Sequence, residues 1–175
     1  MYPLWINVVG FQAGWWACIL GAAGALEIPS IAFAFGLAIT HLRCSATPRA
    51  DLQLAAVGLL IGIVVDTLLQ YFSAIAFYGW ALGPLSPFWL WALWVLFSLT
   101  LNASLAFLKN LHWGVSALTG FIFGPLTYHA GVQLGAASMQ TWLTSMLCIA
   151  LAWMVVMPLM VYLAQNKFDT TRGDA

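Results

Sequence analysis

The sequence predicts an all-α fold: a polytopic membrane protein of six transmembrane helices, with both termini cytoplasmic. Three observations carry that expectation. The 175 residues are 63% hydrophobic and only 6% charged, whereas soluble domains run at about 25% charged. Apolar runs of roughly 20 residues recur, each able to cross a hydrocarbon core about 30 Å thick. All five basic residues also fall in segments that a six-helix path puts on one side. A transmembrane barrel is excluded, because its strands alternate polar and apolar residues and these runs do not.

The first helix is expected from Pro3 to Gly24. It lacks a basic leader region and carries Asn7 and Gln12 in its apolar run, so it reads as retained rather than cleaved. A second, shorter helix runs from Pro29 to Leu42, proline suiting the first turn. The loop from Arg43 to Asp51 is the most polar internal segment, and the third helix follows from Leu52 to Tyr78. Gly79 to Pro87, with two glycines and two prolines, is a turn. The fourth helix covers Phe88 to Leu108, and Lys109 to His112 returns the chain. The fifth spans Trp113 to Val132, broken at Gly124-Pro125, and the sixth runs from Thr141 to Leu163 with a kink at Pro158. Residues 1–165 form one transmembrane domain, and 166–175 a flexible cytoplasmic tail.

This path places Arg43, Arg49, Lys109, Lys167 and Arg172 together on one face, which the positive-inside rule makes cytoplasmic. A re-entrant second helix would split them between two faces. Trp5 and Trp113 then sit near the inner interface, and Trp80, Trp89, Trp91 and Trp142 near the outer one, as an aromatic belt. Trp15, Trp16, Trp94 and Trp153 fall deeper and suit core packing. Helices one, three and five each carry a G-x-x-x-G, at Gly10 and Gly14, Gly58 and Gly62, and Gly120 and Gly124. Small residues four apart let helices approach closely. The expectation is three helical hairpins, with the odd-numbered helices packed together at the centre.

Asp66 is the functional anchor, because an ionisable group inside an apolar span is costly and marks a site with a partner. At ~1.5 Å of rise per residue it lies about 21 Å into its helix, and His129 about 24 Å into the fifth. The two reach a similar level in the outer half of the membrane. A carboxylate that orients an imidazole suits proton transfer, so Asp66 and His129 are the candidate catalytic pair. Gln70, Tyr128, Gln12, Trp94 and Pro125 are expected around the ligand, with Asn102. Asn7, His41 and Asn102 form a weaker polar group toward the cytoplasm.

Several chemistries lack their residues. Three scattered histidines supply neither di-iron histidine boxes nor an H-E-x-x-H zinc motif, and no metal site is expected. There is no G-x-S-x-G elbow. No basic patch implies a nucleic-acid partner. Phospholipid head-group chemistry is disfavoured, because every basic residue sits at the cytoplasmic edge. No cofactor is identified, and the cysteines form no C-x-x-C.

From Asp66 to Met139 the chain resembles the domain-of-unknown-function 2878 family of small bacterial inner-membrane proteins. The likeness rests on Gly62 with Asp66-Thr67-Leu68-Leu69, and on Pro87-Phe88-Trp89 with Leu93-Trp94 and Phe97. It continues through Thr100-Leu101-Asn102, Ser104, Gly124-Pro125, Tyr128 and Ala130-Gly131, and takes in Asn7 and Trp15. The resemblance implies an inner-membrane protein with no assigned activity. It favours Asp66, Asn102 and Tyr128 over His129, and tilts the reading toward lipid handling.

Three readings remain open. The first is a membrane protein that binds or modifies a small apolar molecule, such as a lipid or acyl chain. The second is the substrate-binding membrane subunit of a vitamin-type transporter, docking other subunits through Ala13 and Ala17. The third is a ligand-free scaffold within a membrane complex.

Overall fold

The computed structural model describes residues 4–166 and Phe168. It is all-helical apart from one two-residue strand pair. The helices are α1 (Leu4–Ala23), α2 (Glu27–Cys44), α3 (Pro48–Tyr71), α4 (Phe88–Thr100), α5 (Trp113–Gln133) and α6 (Trp142–Asn166). A 3-10 helix, Ala106–Asn110, leads from α4 toward α5. Strands β1 (Ala76–Phe77) and β2 (Ala137–Ser138) pair antiparallel, with Ala76 opposite Ser138 and Phe77 opposite Ala137. Most of the expected tail, Lys167 and residues 169–175, lies outside the described residues, as does Pro3 at the expected start of helix one.

Burial is arranged for an apolar solvent. Leu60, Phe123 and Val155 are each more than 60% exposed, whereas Asp66 and Ser98 are fully buried and Asp51 is 2% exposed. Three helices, α1, α3 and α6, are long and apolar enough to cross a membrane.

Consecutive helices pair as hairpins, α1 with α2, α3 with α4 and α5 with α6. The glycine pairs serve these contacts rather than a central bundle of odd-numbered helices. A Cβ on Gly62 would strike the Trp94 ring, and one on Gly58 would strike Ser98, both across the α3–α4 seam. Gly120 and Gly124 lie against Trp153 of α6. Gly14 faces Leu96 of α4 and Leu37 of α2. Each glycine pair thus meets an even-numbered helix. The expected packing of α1, α3 and α5 on one another is overturned.

Two helices end earlier than their hydrophobicity suggests. The third stops at Tyr71, not Tyr78, because Ser73 enters the left-handed region at φ 58°. The N–H groups of Ala74 and Ser73 then return to the carbonyls of Leu69 and Gln70, a Schellman closure. Helix α5 ends the same way, with Gly135 at φ 85° and Ala136 N–H on Gly131 O. The fourth helix stops at Thr100 rather than Leu108. Beyond it Asn102 and Ser104 spend their side chains on tertiary partners, and such residues compete with the helical ladder. Helix α2 begins at Glu27, before Pro29. Pro125 does not break α5; it and Pro158 lie inside continuous helices. Trp5, Trp80, Trp113 and Trp142 are exposed as a belt requires, but Trp89 is buried and Trp16 is 45% exposed.

Candidate functional site

Asp66 is held by α3 with no exposure to solvent or lipid. Its two carboxylate oxygens are separately satisfied. Oδ2 accepts the indole N–H of Trp94 at 2.7 Å, and Oδ1 accepts the hydroxyl of Tyr128. One carboxylate therefore ties α3 to both α4 and α5, and the two charge-assisted bonds offset its desolvation. Gly62 makes this possible: the bare backbone one turn earlier lets the Trp94 ring lie flat on α3. On its other side Trp94 stacks on Trp153, with ring centroids 5.1 Å apart and planes 12° from parallel.

Trp94 and Tyr128 form part of the wall of a half-open cleft of about 470 Å³, and Asp66 stands behind them. The cleft separates α1 and α4 on one side from α5 and α6 on the other. Trp15 and Phe11 of α1, Leu93 and Phe97 of α4, and Phe123 of α5 supply its apolar surface. At one end it reaches Phe77 and Ala137 of the strand pair, and at the other Leu105, which precedes the 3-10 helix, and Leu108 within it. Along α5 it extends from Thr119 to Gly131, about 18 Å of helix axis. That is close to the depth of one leaflet, half of a hydrocarbon core about 30 Å thick.

Few polar atoms remain for an occupant. The Thr119 and Thr127 hydroxyls already donate to backbone carbonyls of their own helix. Tyr128 donates its hydroxyl hydrogen bond to Asp66, which leaves its oxygen as an acceptor. The indole N–H of Trp153 is buried beside Tyr128, with no partner at hydrogen-bond distance among the described residues. The cleft therefore offers a hydroxyl oxygen and a neighbouring indole N–H in an otherwise apolar trough. Binding is the chemistry such a wall supports.

The expected Asp66–His129 pair does not form. His129 is half-buried near the lipid face, its ring nitrogens 3.4 Å from Trp142 Nε1 and from Gln133 Nε2. The reason is angular: Tyr128 and His129 are neighbours about 100° apart on α5, and Tyr128 takes the inward position. Gln70 lies one turn beyond Asp66, and its side-chain carbonyl is buried and unpaired. Gln12 is exposed on α1 and Pro125 is buried within α5; neither lines the cleft.

Asn102 belongs to a second network at the other end of the molecule. An aspartate–histidine partnership does exist there, between Asp51 and His41, at 3.3 Å from Oδ2 to Nε2. Asp51 also accepts from Ser45 Oγ at 2.5 Å and from Asn102 Nδ2 at 2.8 Å. His41 Nδ1 faces Asn7 Nδ2 at 3.2 Å, and Asn7 Oδ1 receives the Ser104 hydroxyl at 2.5 Å. Lys109 Nζ donates to Asn102 Oδ1 at 2.5 Å. With Asn7 donating to Nδ1, His41 carries its proton on Nε2 and donates it to Asp51. The network joins α1, α2, α3 and the segment after α4. Sequence reasoning grouped Asn7, His41 and Asn102 but missed Asp51, Ser45, Ser104 and Lys109. Their one signal was polar residues gathered at two connections on the same side.

A third buried carboxylate, Glu27, accepts the backbone N–H of Trp80 at 2.8 Å and 3.1 Å. It fastens the connection between α3 and α4 against the start of α2. Among the described residues no cluster of three or more His, Cys, Asp or Glu could hold a metal.

Among known families, residues 4–159 match the model described as a protein of unknown function (DUF2878). No curated protein and no solved structure matches the chain.

Proposed function

The chain belongs to this family of unknown function, and from the site itself we propose that it is an integral membrane protein binding a small apolar or lipid-like molecule in the cleft. The observation that carries the reading is the cleft's construction: about 470 Å³ of apolar and aromatic wall, with Tyr128 and Trp94 fixed at mid-depth by a buried carboxylate. Ligand sites are commonly 300–1,000 Å³, mostly apolar, with a few placed polar groups. The length and half-open side suit one acyl chain entering from a leaflet. Asp66 acts here as a positioning residue, since it touches the cleft only through Trp94 and Tyr128. A pure scaffold would need neither the trough nor the buried carboxylate behind it.

The setting proposed is the bacterial inner membrane, with six spans and both termini cytoplasmic. The basic residues support it: Arg43 and Arg49 flank the α2–α3 connection, and Lys109 lies at the end of the molecule that Asn102 and Asp51 share with that connection.

Native mass spectrometry of the full chain, released from mild detergent, tests the reading. The chain is expected to carry one tightly held apolar molecule. Thr127→Trp, which puts an indole into the trough, should expel it without unfolding the protein. A wild-type chain that is ligand-free after purification and stays so when incubated with fatty acids would refute the assignment.

A further inference from the structure

Directly beyond the Leu108 end of the cleft lies a second cavity of about 430 Å³, and its lining is of a different kind. The two compartments share three elements and change from one to the other within a single turn. On the 3-10 helix Leu108 faces the cleft and Lys109 the cavity; on α6 Met157 faces the cleft and Pro158 the cavity. On α5 Thr119 belongs to the cleft, and Ser116, one turn earlier, to the cavity.

The cavity gathers groups that favour negative charge. Lys109, which also donates to Asn102, brings a cation, and among the described residues no aspartate or glutamate lines the wall. The first turn of α5, a 21-residue helix, opens onto it with the positive end of its dipole. His112 Nδ1 accepts Gly114 N–H, which leaves the imidazole proton on Nε2 as a donor. The independent observation is Ser116. The residue is 1% exposed and lines this cavity, and its buried hydroxyl has no hydrogen-bond partner among the described residues. A buried hydroxyl left unpaired costs about 1–3 kcal/mol, so its place in the wall points to an external acceptor. Tyr162 and Gln165 of α6 complete the polar side.

We propose that the 430 Å³ cavity is an oxyanion site for the head of an amphiphile, a carboxylate or a phosphate, whose chain lies in the adjoining cleft. The inference rests on the cleft reading and adds the class of ligand to it: an anionic single-chain lipid rather than a neutral one. It also revises the expectation from the basic residues. Among the described residues Arg43, Arg49 and Lys109 sit at one edge of the molecule, but the cleft reaches that edge, so a head group there meets Lys109 while the tail passes Tyr128.

The test compares probes that share one chain. Displacement of a fluorescent fatty acid from the full-length protein in nonionic detergent would be measured with palmitic acid, hexadecyl phosphate, hexadecanol and inorganic phosphate. The acid and the alkyl phosphate should bind about tenfold tighter than hexadecanol, the order expected for a charge-assisted hydrogen bond. Ser116→Ala removes an unpaired hydroxyl, so it should fold as the wild type yet weaken the acid about threefold and leave hexadecanol unchanged. Lys109→Gln, which also gives up the bond to Asn102, should weaken the acid about tenfold and leave hexadecanol unchanged. Equal affinity for acid and alcohol would overturn the head-group site while leaving the cleft reading intact. Inorganic phosphate binding as tightly as hexadecyl phosphate would overturn the lipid assignment in favour of a free anion. Failure of every amphiphile to bind would sink both.

Discussion

Gly62→Ala is the smallest change that should disable the polar centre of the cleft. The added methyl would fall within the Trp94 ring, which lies flat on α3 between Gly62 and Trp153. The ring cannot tilt freely, because Trp153 stacks on its other face and Phe97 meets it edge-on at 5.8 Å. Forcing a methyl into such a seam costs about 1–3 kcal/mol. Moving the indole also takes a donor from the buried Asp66 carboxylate, about 1–3 kcal/mol more. Alanine returns about 1 kcal/mol through its better helix propensity. The balance is a loss of about 3 kcal/mol, to be read from unfolding in mixed micelles. Gly36→Ala in α2 is the matched control, since nothing lies within 4 Å of a Cβ there; it should be neutral or stabilising by up to about 1 kcal/mol. If Gly62→Ala were as stable as Gly36→Ala, the claim that the α3–α4 seam is set by the Trp94–Asp66 contact would be wrong.

Other outcomes follow from the same geometry. Asp66→Ala should cost roughly 3 kcal/mol, because it strands the Trp94 N–H and the Tyr128 hydroxyl together, and Asp66→Asn, which keeps one acceptor, less; chemical unfolding of both variants checks the order. Asp51→Ala removes the acceptor shared by His41, Ser45 and Asn102, so its loss in the same assay should exceed that of Asp66→Ala, at about 4 kcal/mol. Glu27→Gln should loosen the Gly79–Trp80 segment, with faster amide exchange at Trp80 and a stability loss of about 1 kcal/mol. For topology, a membrane-impermeant thiol reagent applied to intact spheroplasts should miss the exposed Cys44 and label Leu82→Cys.

The helices were legible because hydrophobic runs and Gly–Pro clusters are local signals. All six helices begin within four residues of where the pattern puts them, within the ordinary tolerance of boundaries read from sequence. The two long errors, at the ends of α3 and α4, have one cause. Ser73 in a left-handed cap, and Asn102 and Ser104 diverted to Asn7 and Asp51, are tertiary decisions that hydropathy does not record. The site was half legible. An aspartate in an apolar span announced itself, and depth arithmetic brought α5 to its level, but depth leaves rotation open. Tyr128 and His129 are neighbours, and only the α5–α6 packing turns the tyrosine inward. The glycine pattern was likewise right as a sign of close approach and silent about the partner. It was Trp94 and Trp153, both on even-numbered helices, that filled the space.

The central claim is that the trough between α4 and α5 is filled by a single acyl chain. Photo-crosslinking with a diazirine placed mid-chain on a fatty acid, followed by peptide mapping, tests it most directly. The account predicts adducts on α4 and α5 near Leu93, Phe97 and Phe123, competed by unlabelled fatty acid and lost in Thr127→Trp. Adducts spread instead over lipid-facing residues such as Leu60 and Val155, indifferent to competitor and to the tryptophan, would contradict it.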